Sequence, residues 1–217
     1  MAEKTITSSL FSISEAIRFG WETTKKNFWL IVATLIIPFV INYAISLIDG
    51  PLLKSDNGFL KIAGILAVIA SYFISYAFTF GRLSIYFKLF DKKKTEVNEL
   101  FAYFDLKLIW RYFVIVFAYG FLCAIGLVLF IFPGIYFATK YWFAPYIYVD
   151  KRTGIMESFK ESEKLSQGIK RRLFLLGLVQ AGIIIAGALA LVVGLLVALP
   201  INTISDIYVY RKLQEQK

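Results

Sequence analysis

The chain has 217 residues, 59% of them apolar and 18% charged, with a net charge of +9 and a mean hydropathy of +0.68. A soluble domain is usually near half apolar with about a quarter charged, so the composition argues against a water-soluble domain and leaves little chain for a second one. The absence of histidine and the single cysteine, Cys123, remove the commonest general base and metal ligand, and with them any internal disulfide.

Residues 1–11 are expected to be loose, with no short apolar core and cleavage site among them. Ser12 stands three residues before Glu15, a capping-box spacing. Ile13, Ala16, Ile17, Gly20, Trp21 and Thr24 follow at helical spacing, opposite Glu15, Arg18, Glu22, Lys25 and Lys26. This pattern predicts a helix over 12–27 lying along the membrane surface, with Trp21 at headgroup level.

Beyond it the sequence predicts an all-α integral membrane protein of six spans, at 28–48, 59–80, 108–132, 134–149, 173–193 and 195–210, paired as three hairpins, each preceded by a short amphipathic helix. The first span carries Pro38, which should kink it, and serves as an uncleaved insertion signal. Asp49-Gly50-Pro51 and Asp56-Asn57-Gly58 are expected to close a short outer loop. The second span should continue as helix through Arg82 to Phe90. Lys92, Lys93 and Lys94 then open an inner joint, 96–106, with Val97, Leu100, Phe101 and Phe104 on one face. Trp110 and Arg111 mark the inner edge of the third span. Pro133-Gly134 reads as a tight outer turn, and 134–149 as a short fourth span containing Lys140 and Pro145, with a re-entrant segment as the alternative. The polar joint 151–172 is helical in pattern. The apolar run after Leu173 is too long for one crossing and is divided near Gly194.

Charge tests that division. With both termini inside, the inner joints and tails hold nearly all the cations, from Lys4 to Lys217, whereas the outer side holds Lys54 and Lys61. The asymmetry follows the positive-inside rule. Cationic joints flanking membrane helices account for the net charge without nucleic acid. Residues 13–18 also align with 155–160 (Ile13 on Ile155, Glu15 on Glu157, Arg18 on Lys160), and a weaker copy begins at Val97. The chain therefore reads as three copies of one unit, with pseudo-rotational symmetry about the membrane normal.

Pro133-Gly134-Ile135-Tyr136, Phe143-Ala144-Pro145, Val149-Asp150 and Glu157-Ser158-Phe159-Lys160, with Phe28-Trp29 and Leu199-Pro200, resemble the bacterial and archaeal polytopic proteins related to the membrane domain of glycerophosphodiester phosphodiesterases and to the YciC-like membrane proteins. The resemblance implies a prokaryotic cytoplasmic membrane and a setting near phospholipid metabolism. In that family hydrolysis belongs to a separate soluble domain, so no catalytic residue is carried over.

Ionisable groups at membrane depth mark candidate sites: Arg82, Lys140 and Asp206. Arg82 and Asp206 lie at similar depth and either snorkel, pair with each other or serve transport. Lys140 has no obvious acidic partner and either snorkels or binds a lipid phosphate. Ser71, Ser75 and Thr79 share a face of the second span with Arg82, as a packing stripe or a polar groove. Lys92, Lys93 and Lys94, and Lys170, Arg171 and Arg172, are placed to meet anionic headgroups. Gly177, Ala181, Gly182, Ala186 and Gly187 form a close-packing face for the monomer or a homo-oligomer. No catalytic constellation, metal cluster or cofactor motif is expected. The reading is a non-enzymatic membrane module that binds lipids or a partner, with a small transporter or channel as the alternative.

Overall fold

A computed structural model describes residues 11–190 and 193–216; the N-terminal ten residues, with Lys4, and also Lys217 lie outside the described residues. The described residues form helices and turns without strands: α1 (Ile13–Lys26), α2 (Phe28–Leu53), α3 (Gly58–Phe90), a 3-10 turn (Val97–Phe101), α4 (Leu106–Leu129), α5 (Ile131–Lys140), α6 (Ala144–Lys151), α7 (Ile155–Ser166), α8 (Lys170–Leu189) and α9 (Leu195–Glu215). Four of them, α2, α3, α4 and α8, are long and apolar enough to cross a membrane. The architecture is that of an all-α chain fitted to a multi-pass membrane setting. The segment expected to be the fourth span is broken into α5 and α6, of 10 and 8 residues. The 21 residues of α9 are diluted by Asn202, Thr203, Ser205 and Asp206.

Sequential helices pack against each other with close approaches near the connections. On α2 and α3, Thr34 Oγ1 meets Tyr86 Oη at 3.2 Å and Ser75 Oγ donates to Asn42 Oδ1 at 2.8 Å. Further along, a Cβ on Gly64 would lie 2.9 Å from Leu53 N. On α4 and α5, a Cβ on Gly126 would lie 2.7 Å from Gly134 Cα; on α8 and α9, one on Gly187 would lie 3.0 Å from Gly194 O.

Two turns fall elsewhere than the sequence predicts. Asp49-Gly50-Pro51 does not break α2, which runs on to Leu53. Pro51 stands in the last turn of α2, where it removes one helical N–H, and packing against Gly64 holds that turn in place. The connection is instead 54–57, where Asn57 Oδ1 accepts from Phe59 N at 2.9 Å and caps α3. Likewise Pro133-Gly134 lies inside α5, and the break before it is at Phe130, extended at φ −163 and ψ 152. Pro133 occupies the first turn, where the missing N–H is not needed, and Gly134 permits the contact with Gly126.

The amphipathic helix α1 does not simply lie on lipid. Ser12 Oγ accepts from Glu15 N at 3.4 Å and starts it. Its small residues Ala16, Gly20 and Thr24 are buried, and the first two lie on α9: Ser205 Oγ donates to Ala16 O at 2.9 Å, and a Cβ on Gly20 would lie 2.5 Å from Ile201 O. Trp21 remains half exposed. The 3-10 turn is docked in the same way, since Gly81 of α3 leaves room for the Leu100 backbone.

These contacts set a test. Gly20→Val places a branched side chain where no space exists and should destabilise by about 1–3 kcal/mol. Gly182→Ala, with open space around it, should be neutral or stabilise by roughly 0.4–1 kcal/mol. Thermal unfolding in detergent reads both; equal Tm values for the two variants refute the α1–α9 packing.

Candidate functional site

A buried polar cluster is built on α9. Asp206 and Asn202, one turn apart, face Gln180 of α8, the one amide in its apolar run. Gln180 Nε2 donates to Asp206 Oδ1 at 2.7 Å, and Asn202 Nδ2 donates to Gln180 O at 3.0 Å. Tyr146 Oη of α6 donates to Asp206 Oδ2 at 2.8 Å. Among the described residues no cation lies within ion-pair distance of this carboxylate, and Asn202 Oδ1 is buried without a partner. A buried carboxylate is costly unless hydrogen bonds replace its water; here a phenol and an amide do so. The sequence singles out Asp206 but misses Gln180 and Tyr146. A lone glutamine in the run 173–193 was the available signal for the first.

The structure does not join Arg82 to Asp206. Arg82 is partly buried on α3. The polar stripe beside it is turned into packing. Ser71 donates to Val68 O, Ser75 to Ser71 O or Asn42 Oδ1, and Thr79 to Ser75 O, all at 2.8–2.9 Å. Asn42 Nδ2 donates in turn to Pro38 O at 2.8 Å, within the turn that follows the proline.

Lys140 has an acidic partner after all. Its Nζ lies 2.9 Å from Glu163 of α7 and 5.0 Å from the centre of the Tyr141 ring. The pair forms because α7 caps the break between α5 and α6. Ser162 and Ser166 both donate to Lys140 O, at 3.2 and 3.0 Å, and Ser162 Oγ accepts from Phe143 N at 3.1 Å. Nothing local in the sequence marks a partner 23 positions downstream.

The basic clusters divide. Lys92, Lys93 and Lys94 are exposed, with Lys93 3.5 Å from Asp91. At the start of α8, Lys170 Nζ stacks 3.9 Å from the Tyr136 ring centre, Arg171 is exposed, and Arg172 Nη1 donates to Phe11 O at 3.2 Å. Arg211 grips Asp150 with both Nη atoms, at 2.8 and 3.0 Å, and reaches Asp91 at 3.2 Å, tying the ends of α3, α6 and α9 together.

The small residues on α8 also divide. Gly187 is occupied by contacts with α9 and Gly177 by Trp142, whereas Ala181, Gly182 and Ala186 are exposed.

No family model, curated protein or solved structure matches this chain.

Ser162→Ala with Ser166→Ala should leave Lys140 O and Phe143 N unpaired and lower stability by about 1–3 kcal/mol per orphaned group. Asp206→Asn, which keeps the shape and removes the buried charge, should leave Tm unchanged or raise it. Thermal melts of both in one detergent decide; a marked drop for Asp206→Asn overturns the account of the carboxylate as a packing element held by neutral donors.

Proposed function

We propose that the protein is a non-enzymatic, multi-pass module of a prokaryotic cytoplasmic membrane that engages anionic lipids through its inner face. Six passages in three hairpins are part of this reading: α2 with α3, α4 with the broken α5–α6 segment, and α8 with α9. Each pair follows a short helical segment that opens at Ile13, Val97 or Ile155. The carrying observation is the convergence of the charged joints. Arg211 pairs with Asp91 and Asp150, Lys151 with Glu161, Lys140 with Glu163, and Arg172 bonds to Phe11. The ends of five helices, the start of α8 and the N-terminal side therefore meet at one pole. Lys92, Lys94, Lys160, Lys164 and Arg171 are exposed on these same elements. The connection 54–57 and the Phe130 break lie away from that pole and hold Lys54 as their one cation.

Exposed cations near an anionic surface contribute about 1 kcal/mol each. The alternative, a transporter or channel lined by the Ser71, Ser75 and Thr79 stripe, is disfavoured because those hydroxyls are turned to backbone oxygens and Asn42.

In proteoliposomes, brominated phosphatidylglycerol should quench the intrinsic tryptophans more strongly than brominated phosphatidylcholine. The preference should shrink in high salt and fall several-fold when Lys92, Lys93 and Lys94 are all replaced by Ala. Equal quenching by the two lipids refutes the proposal, and solute flux above that of empty vesicles would favour the transporter. For topology, cysteines replacing Lys54 and Gln216 in a Cys123→Ala background should differ on intact cells. An impermeant maleimide labels the first and spares the second; labelling of the second removes the six-passage reading.

A further inference from the structure

Behind Lys140 and Lys170 lies an apolar slot of about 250 Å³ between α4, α5 and α8, lined among others by Cys123, Ile135, Ala138, Phe174 and Gly177. Ile135 and Ala138 lie within two turns of Lys140 on α5, and Phe174 and Gly177 within two turns of Lys170 on α8. The slot thus lies within two turns of both lysines along the same two helices, flanking Lys140 directly through Thr139. Leu127 and Leu178 on its rim are more than half exposed, so its flank is open to the hydrocarbon.

The lysines themselves form an unusual arrangement. One phenol ring, Tyr136, is approached by both ammonium groups, Lys170 at 3.9 Å and Lys140 at 5.8 Å from its centre. A ring face attracts a cation, but two like charges on one ring repel, and Glu163 answers only Lys140. Lys170 and the neighbouring Arg171 have no ion pair among the described residues. The cluster is short of one anion, and the space beside it is greasy.

We infer that this is a binding site for one anionic glycerophospholipid, its phosphate held between Lys140 and Lys170 beside Tyr136 and one acyl chain lying in the slot between α4, α5 and α8. The inference deepens the lipid-binding reading above and rests on it. A soluble anion has no use for the slot, and a neutral lipid has no use for the lysines; an anionic phospholipid uses both. Glu163 is then a competitor for Lys140 rather than part of the site.

Native mass spectrometry of the full detergent-solubilised chain, incubated with phosphatidylglycerol, phosphatidylcholine or inorganic phosphate, tests the site. The expected result is one tightly retained phosphatidylglycerol per chain. Retention should fall at least tenfold in Lys140→Ala with Lys170→Ala, and comparably in Ala138→Phe, which fills the slot and spares both lysines. Glu163→Gln should raise retention several-fold; if the Lys140–Glu163 pair were a structural bridge alone, the same variant would leave retention unchanged or lower it. Should the double lysine variant fail to fold, Ala138→Phe and Glu163→Gln carry the test. Retention unaffected by any of these overturns the site, and the broader lipid reading survives that result if the quenching preference still depends on Lys92, Lys93 and Lys94. Equal retention of phosphatidylcholine together with equal quenching overturns both. Binding of inorganic phosphate that needs the lysines but ignores Ala138→Phe overturns the lipid assignment.

Discussion

Hydrocarbon offers no hydrogen bonds, so a break in a helix at membrane depth must be repaired by other parts of the protein. The break at 141–143, with Phe143 fully buried, needs repair for the same reason, because water is kept out there too. Its repair by Ser162 and Ser166 fixes the position of α7 and explains why a polar joint carries serines on its buried face. With α7 in place, Glu163 is brought to Lys140 and Phe159 to Tyr141. The same break swings α6 so that Tyr146 reaches Asp206 while Phe143 packs on Tyr210. The broken segment is thus the hub through which α5, α6, α7 and α9 are held.

Close backbone approach is the second device. Gly64, Gly126 with Gly134, and Gly187 with Gly194 each lie near the connection between two consecutive helices, where a Cβ would collide. Without a hydrophobic drive between helices in lipid, such small-residue contacts supply the packing attraction. That they recur at corresponding places in three successive helix pairs accords with a repeated unit, as do the helical segments opening at Ile13, Val97 and Ile155. The three segments are nevertheless docked differently. The first segment packs on α9, the second on Gly81 of α3, and the third on the broken chain.

Much of the fold was legible because helix formation and apolar length are local properties. The extents of α1 and α3, and the continuation of α3 to Phe90, follow closely from periodicity and hydropathy, whereas α8 starts three residues before the expected 173. The turns were less legible, because Pro133 sits in a first turn where no N–H is needed, Pro51 is carried within the last turn of α2, and tertiary contacts at Gly64 and Gly126 decide the path. Partners across the structure were not legible. Depth alone aligned Arg82 with Asp206, yet depth does not specify azimuth, and the carboxylate faces Gln180 and Tyr146 instead. Lys140 looked unpartnered because its acid lies on the joint, not in a span.

The same pairing pattern explains where the surplus charge is found. Asp91, Glu99, Asp150, Glu161 and Glu163 all bond to lysines or arginines that pin the joints. These five acids are thereby engaged in holding helix ends and joints together. Lys92, Lys94, Lys107, Lys160, Lys164 and Arg171 remain exposed. The folding of the joints therefore does more than order them: by pairing these five acids, it leaves exposed cations on the same elements.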